Sequence, residues 1–160
     1  MKLSAKLICY HLQKSFPMDT SRLDTEPTLL CPACYEKNTP LQEGRVYLIT
    51  DPDFQPTFHH PKNILFLMIG KTYRNYELTQ PNMCVIPEDF PANTIFNKLQ
   101  EIFILYDRWN QSLMDSRLRN ASIQELLDLT ASIIPNPMML IGMDSVSYTH
   151  LRAHETKANL

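Results

Sequence analysis

Apolar positions recur at different periods along this chain, and the changes of period mark its elements. Leu3, Leu7, Ile8 and Leu12 fall at helical spacing and Pro17 closes the run, which predicts a helix over residues 3–15. Four short runs with strand character follow: Thr28 to Tyr35, Arg45 to Thr50, Ile64 to Gly70 and Met83 to Pro87. Ile64 to Ile69 is apolar throughout, as expected of a strand covered on both faces. Loops rich in proline and polar residues separate these runs, with room for one short helix near Thr72 to Leu78. The pattern predicts an α/β fold: a small sheet of about four short strands with an N-terminal helix, ending near Asp89.

Beyond that point the period lengthens. Ile95, Leu99, Ile102, Tyr106, Trp109 and Leu113 alternate four and three residues apart, which is a heptad stripe. Phe96 and Phe103 widen it. At 1.5 Å per residue, Ile95 to Leu118 makes roughly 36 Å of helix. Asp89 and Pro91 suit its start, and Arg117, Arg119 and Asn120 its end, where cations and a left-handed residue are favoured. Ser122-Ile123-Gln124-Glu125 is a capping box opening another helix through about Ile133. Pro135 and Pro137 break it, and Met138 to Met143 reads as a short apolar strand. The expected organisation is an N-terminal α/β domain over 1–89, a connector helix over 90–120 and the start of a second domain over 121–144. The stripe on the connector is expected to pair two protomers.

The ordered set Leu99-Gln100-Glu101-Ile102-Phe103, Tyr106-Asp107-Arg108-Trp109, Ser122 to Asp128, and Asn136-Pro137 leading into an apolar strand and Asp144 resembles the middle of bacterial transcriptional regulators of the PucR/CdaR type. The resemblance extends more weakly back to Met1 and covers about 144 residues. It implies an N-terminal α/β regulatory domain, a middle sensor-like domain that these residues only begin, and a C-terminal helix-turn-helix. Nothing in the chain matches the helix-turn-helix, so DNA contact would be made by a part beyond these residues. The resemblance also implies a cytoplasmic homodimer that transmits a signal and is not an enzyme. Residues 145–160 do not continue the pattern. They resemble translated sequencing-adapter read-through and are expected to be a non-native tail, although His150 and His154 stand one helical turn apart.

Composition narrows the functions. Hydrophobic residues make up 44% and charged residues 20%, which are globular values. The net charge is −2, and setting aside Arg152, Glu155 and Lys157 with the tail leaves 13 basic against 16 acidic residues. Such a balance opposes a phosphate-neutralising surface. No run of 18 apolar residues spans a membrane, and the start is not a signal peptide. Four cysteines without a secretory signal therefore read as cytosolic thiols.

Cys31-Pro32-Ala33-Cys34 is the motif with the sharpest chemistry. Two thiolates two residues apart can share a disulfide or half a zinc site, so a small thiol-redox or zinc-binding protein is the alternative reading. A redox pair needs a following helix N-terminus, and Tyr35 to Pro40 reads as a loop. Zinc needs two further ligands, for which only His59, His60 and Cys84 are on offer. Gly70-Lys71-Thr72 ends like a phosphate-binding loop but has Leu65 where the first glycine is required. Asp51, Asp53, Glu88 and Asp89 stand near strand ends with no partner base or nucleophile, and read as turn and cap residues. No catalytic set, metal or cofactor is expected. Tyr73, Arg74 and Tyr76 lie where α/β sheets commonly bind ligands and are the candidate lining of an effector pocket.

Overall fold

The computed structural model describes residues 1–23, 28–52, 54, 63–70, 73, 82–87, 89–134, 138–141 and 147–150, with the backbone alone at 21–22, 138–141 and 147–150. The chain forms two compact units, Met1–Leu105 and Tyr106–Leu160.

In the first unit, β1 (Leu3–Ser4) leads straight into α1 (Ala5–Gln13). Ser4 caps α1, its hydroxyl accepting the Leu7 N–H at 3.3 Å. Ala5, Ile8, Cys9 and Leu12 form the buried stripe of this helix. β2 (Asp19–Arg22), β3 (Thr28–Leu29), β4 (Cys31–Cys34), β5 (Arg45–Ile49), β6 (Ile64–Ile69) and β7 (Met83–Ile86) follow. The sheet is five-stranded in the order β2-β7-β6-β5-β4, with β4 to β7 parallel and β2 antiparallel to β7.

The run read from sequence as one strand, Thr28 to Tyr35, is two. β3 turns away to pair with β1, and β4 pairs with β5. The Asn63 side chain holds this break in place, accepting the Thr28 N–H at 2.7 Å and donating to the Thr28 carbonyl at 2.9 Å. Gly44, at φ +75°, accepts the Leu30 N–H at 2.7 Å and donates to the Asn63 carbonyl at 2.7 Å. A side chain at this position would be strained by the backbone angle and would press on Leu30. The fifth strand, β2, is the polar run Asp-Thr-Ser-Arg, which carries no alternation that a sequence reading could use.

The parallel strands advance in one direction across the sheet, and the described crossover residues lie on one face of it. That face carries Tyr47, Ile49, Ile64, Phe66, Met68, Met83 and Val85, and the crossover residues Leu41, Phe54 and Tyr73 pack against it. Val46, Leu48, Leu65, Leu67, Cys84 and Ile86 are buried on the opposite face. There α1 lies against the sheet, with Cys9 Sγ 3.6 Å from Cys84 Sγ.

α2 (Ala92–Leu118) is 27 residues long, about 40 Å, and starts in the first unit. The Thr94 N–H bonds to the Pro91 carbonyl at 2.9 Å, which places Pro91 at its entrance. Ile95, Leu99, Ile102 and Phe103 are buried. Burial, then the charges of Lys14 and of Lys98 on α2, hold the His11 imidazole on α1 below its ordinary range, so the two helices are neighbours.

The second unit takes the helix to its end. Asn120 is left-handed at φ 53°, and the Ala121 N–H reaches back to the Ser116 carbonyl at 2.9 Å, closing the last turn as the sequence predicts. The capping box is formed: Glu125 N–H donates to Ser122 Oγ at 3.2 Å and Ser122 N–H to Glu125 Oε2 at 2.9 Å. α3 (Ile123–Ala131) follows, then β8 (Met138–Ile141) antiparallel to β9 (Ser147–His150). β9 lies in the stretch expected to carry no further pattern, and there the backbone pairs with β8 all the same. Residues 151–160, including His154, lie outside the described residues.

Leu99 is fully buried within its own chain, so Leu99→Ala should lower the unfolding free energy by about 2–5 kcal/mol in urea titrations. The difference between wild type and variant should be the same at every protein concentration. A concentration-dependent loss would mean that a second protomer covers this position.

Candidate functional site

A β-strand turns successive side chains to opposite faces, and Cys31 and Cys34 are three residues apart within β4. Cys31 therefore points with Arg45, its partner in register, and Cys34 points the other way with Leu48. Three residues of strand also separate the two Cα atoms by roughly 10 Å, beyond the 7 Å or so that a disulfide spans. The pair fits neither an internal disulfide nor a shared metal. Among the described residues no group of three or more His, Cys, Asp or Glu could hold a metal ion. His59 and His60 lie outside the described residues.

The thiols that the fold does bring together are Cys9 and Cys84, 75 residues apart in sequence. Both are buried. The hydrogen bond with Cys9, then burial, then the negative charge of Asp19 push the Cys84 thiol far above its ordinary range. It stays protonated and behaves as a small core residue rather than a nucleophile.

At the carboxyl edge of the parallel strands the structure describes Asp51, Gly70, Tyr73 and Asp89. Tyr73 is buried to within 2% of completely, its ring in the core and its hydroxyl donating to the Asp51 carbonyl. It ties the end of β5 to the β6–β7 crossover, and so belongs to the core before it belongs to any pocket. Arg74 and Tyr76, the other residues of the expected effector pocket, lie outside the described residues, as do Asp53, Lys71, Thr72 and Glu88. Among the described strands the parallel order does not reverse, so they form no switch-point crevice of the kind in which α/β folds commonly bind ligands.

On α2, the six stripe residues have different surroundings. Ile95, Leu99 and Ile102 are buried within the chain itself, which leaves them no surface for a second protomer. Tyr106 is buried, with Trp109 edge-on to it at 6.1 Å between ring centres. Trp109 and Leu113 are half-buried. Trp109 Nε1 is buried without a hydrogen-bond acceptor among the described residues, a state that costs about 1–3 kcal/mol. Further along, Met114 and Leu118 are 52% and 82% exposed, one helical turn apart.

Two clefts carry polar side chains. One, about 380 Å³, lies in the second unit among Ser116, Arg119, Glu125, Asp128, Leu129 and Ser132. The other, about 200 Å³, lies beneath the β4–β5 crossover, with Ala33, Leu41 and Tyr47 as its apolar part and Arg45, Gln42, Thr39 and Glu36 as its polar part. Arg45 donates to Cys31 Sγ at 2.7 Å through Nη1 and to Gln42 Oε1 at 3.0 Å through Nη2. The sequence reading passed over this group, because Arg45 opens an apolar strand and its partners come from a loop and a neighbouring strand.

Comparison with family models, with curated proteins and with solved structures gives no match for this chain.

The thiol pair sets a pH test. Cys84 is protonated in the folded state well above the pH near 8.5 at which an unfolded thiol ionises, so its contribution to stability is complete below that pH and is lost as pH rises beyond it. Between about pH 8.5 and 10 the unfolding free energy should fall more steeply in wild type than in Cys84→Ala, by up to about 1.4 kcal/mol per pH unit. Equal slopes in paired urea titrations would show that the thiol ionises in the folded protein.

Proposed function

We propose that this chain is the N-terminal regulatory portion of a PucR-like, cytoplasmic transcription regulator, and that DNA is bound by a helix-turn-helix beyond these residues. The observation that carries the reading is the continuity of α2, which begins in one compact unit and ends in the other. Its two ends are fixed by different means, buried apolar side chains at Ile95, Leu99 and Ile102 and a left-handed Asn120 followed by the capping box of α3. A helix anchored in this way can pass a change in the α/β unit along the chain, provided that it has two arrangements between which a signal chooses. The surplus of acidic residues supports placing DNA contact elsewhere. No helix among the described residues is long and apolar enough to cross a membrane.

The homodimer belongs to the same proposal, and its interface moves toward the end of the helix. Burial within the chain removes Ile95, Leu99 and Ile102 from consideration; Trp109, Leu113, Met114 and Leu118 keep apolar area toward the end of α2, and Ile104 and Leu105, 48% and 41% exposed, keep it at mid-helix. The thiol-redox or zinc reading loses its support, because β4 turns Cys31 and Cys34 to opposite faces.

Sedimentation of the purified chain tests the dimer: wild type should associate at high concentration, and Leu118→Glu combined with Met114→Glu should be monomeric with unit one still folded. Wild type monomeric throughout would remove the homodimer. For the regulator itself, the coding DNA continuing from Asp144 in the source should encode a sensor-like domain and a helix-turn-helix. A frame that leads to neither would overturn the assignment.

A further inference from the structure

The cleft under the β4–β5 crossover joins apolar walls to a few polar side chains that are mostly hydrogen-bond donors, and this decides what it can take. Arg45 is half-buried and makes no ion pair among the described residues; its only polar partners are a thiol and an amide oxygen. A guanidinium carries five N–H groups, so about three remain free. Because Gln42 Oε1 faces Arg45, the Gln42 amide turns its N–H donors elsewhere. Tyr47 is 7% exposed, and its hydroxyl accepts the Gln42 backbone N–H at 2.9 Å, which leaves its own proton without an acceptor among the described residues. Thr39 adds another hydroxyl, and the one carboxylate present, Glu36, is exposed.

We propose that this cleft binds a small organic carboxylate. A carboxylate is an acceptor-only group whose two oxygens match the planar fork of arginine, and it would supply both the missing counter-charge of Arg45 and an acceptor for Tyr47. Inorganic phosphate fits less well, since a single cation faces a doubly charged ion and Ala33, Leu41 and the Tyr47 ring offer it only apolar surface. Drug-sized ligands occupy about 300–1,000 Å³, so a cleft of about 200 Å³ limits the guest to a few carbons. The fork is held before the ligand arrives: Cys31 and Gln42 fix its orientation, and a turn in which the Thr39 N–H bonds to the Glu36 carbonyl at 3.1 Å shapes the loop above it. Cys31 thus acquires a role as an orienting acceptor for Arg45. The site stands whether or not the chain is a regulator, because the test is binding alone.

The experiment is a titration of the full chain, labelled with ¹⁵N, by propionate, acetate and phosphate at constant ionic strength, up to about 50 mM. One charge-assisted fork in a half-open cleft gives a dissociation constant on the order of 1 mM or weaker. Expected are saturable shifts of the Arg45 Nε–H resonance and of amides between Cys34 and Tyr47, with propionate tighter than acetate because the apolar surface takes its extra carbons. Arg45→Gln should weaken propionate at least tenfold, and Arg45→Lys should fail to restore it fully. Shifts that never saturate, phosphate binding more tightly than propionate, or saturation at residues outside this segment would overturn the proposal. Should Arg45→Gln not fold, the wild-type Nε–H resonance decides the matter by itself.

Discussion

Six consecutive apolar residues, Ile64 to Ile69, have to be kept from water on both faces of one strand, and most of the first unit follows from that demand. A strand buried on both sides must be central and must have layers above and below it. The chain meets the requirement asymmetrically. The described crossover residues lie on one face, where the Phe54 ring is tilted against Phe66 at 5.5 Å between centres and Tyr73 packs into the same cluster, so these residues serve as part of a layer of the core. On the other face lies α1, a 9-residue helix with a buried stripe and a Cys9–Cys84 contact.

That division explains why α2 cannot be wholly a connector. A 9-residue helix is too short to cover a five-stranded sheet, and the early turns of α2 are buried in the same unit as α1. The heptad spacing is therefore serving two ends in succession. From Ile95 to Ile102 it is ordinary core, worth about 1.5–3 kcal/mol for each aliphatic side chain kept from water. From Trp109 onward the burial thins out, an indole N–H has no acceptor among the described residues and Leu118 stands nearly bare. A signal carried along this helix would have its fixed end among buried side chains, where any shift of Leu99 disturbs packing directly.

Much of this was legible in the sequence, and the reasons differ by element. β6 announced itself because double burial removes every polar residue, and the capping box at Ser122 and Glu125 because its chemistry is local to four residues. The heptad stripe was legible as a stripe, but spacing records only that a face is apolar and not what lies against it, so the first half was read as an interface when it is core. β2 was invisible, since Asp19 to Arg22 pair with β7 through backbone groups at a sheet edge, with a register irregularity and no apolar alternation in their sequence. The division between β3 and β4 depends on Asn63, 35 residues downstream of Thr28, and Cys9 finds Cys84 across 75. Contacts of that kind have no trace in a local window.

The cysteines and Arg45 show how far a motif's meaning depends on the element that carries it. In a loop or at a helix start, Cys31 and Cys34 would converge; in a strand, the period of two separates them, and Pro32 between them suits an edge strand that owes few ladder bonds. The same alternation that divides the thiols delivers Cys31 to Arg45 in the neighbouring strand. Arg45 is then a cation placed at the first position of an otherwise apolar strand, desolvated enough to need partners and provided with neutral ones. A half-buried guanidinium held only by neutral acceptors sits in an electrostatic well that an anion can still deepen. The chemistry that the Cys-x-x-Cys spacing seemed to promise thus passes, by way of strand geometry, to the residue opposite it.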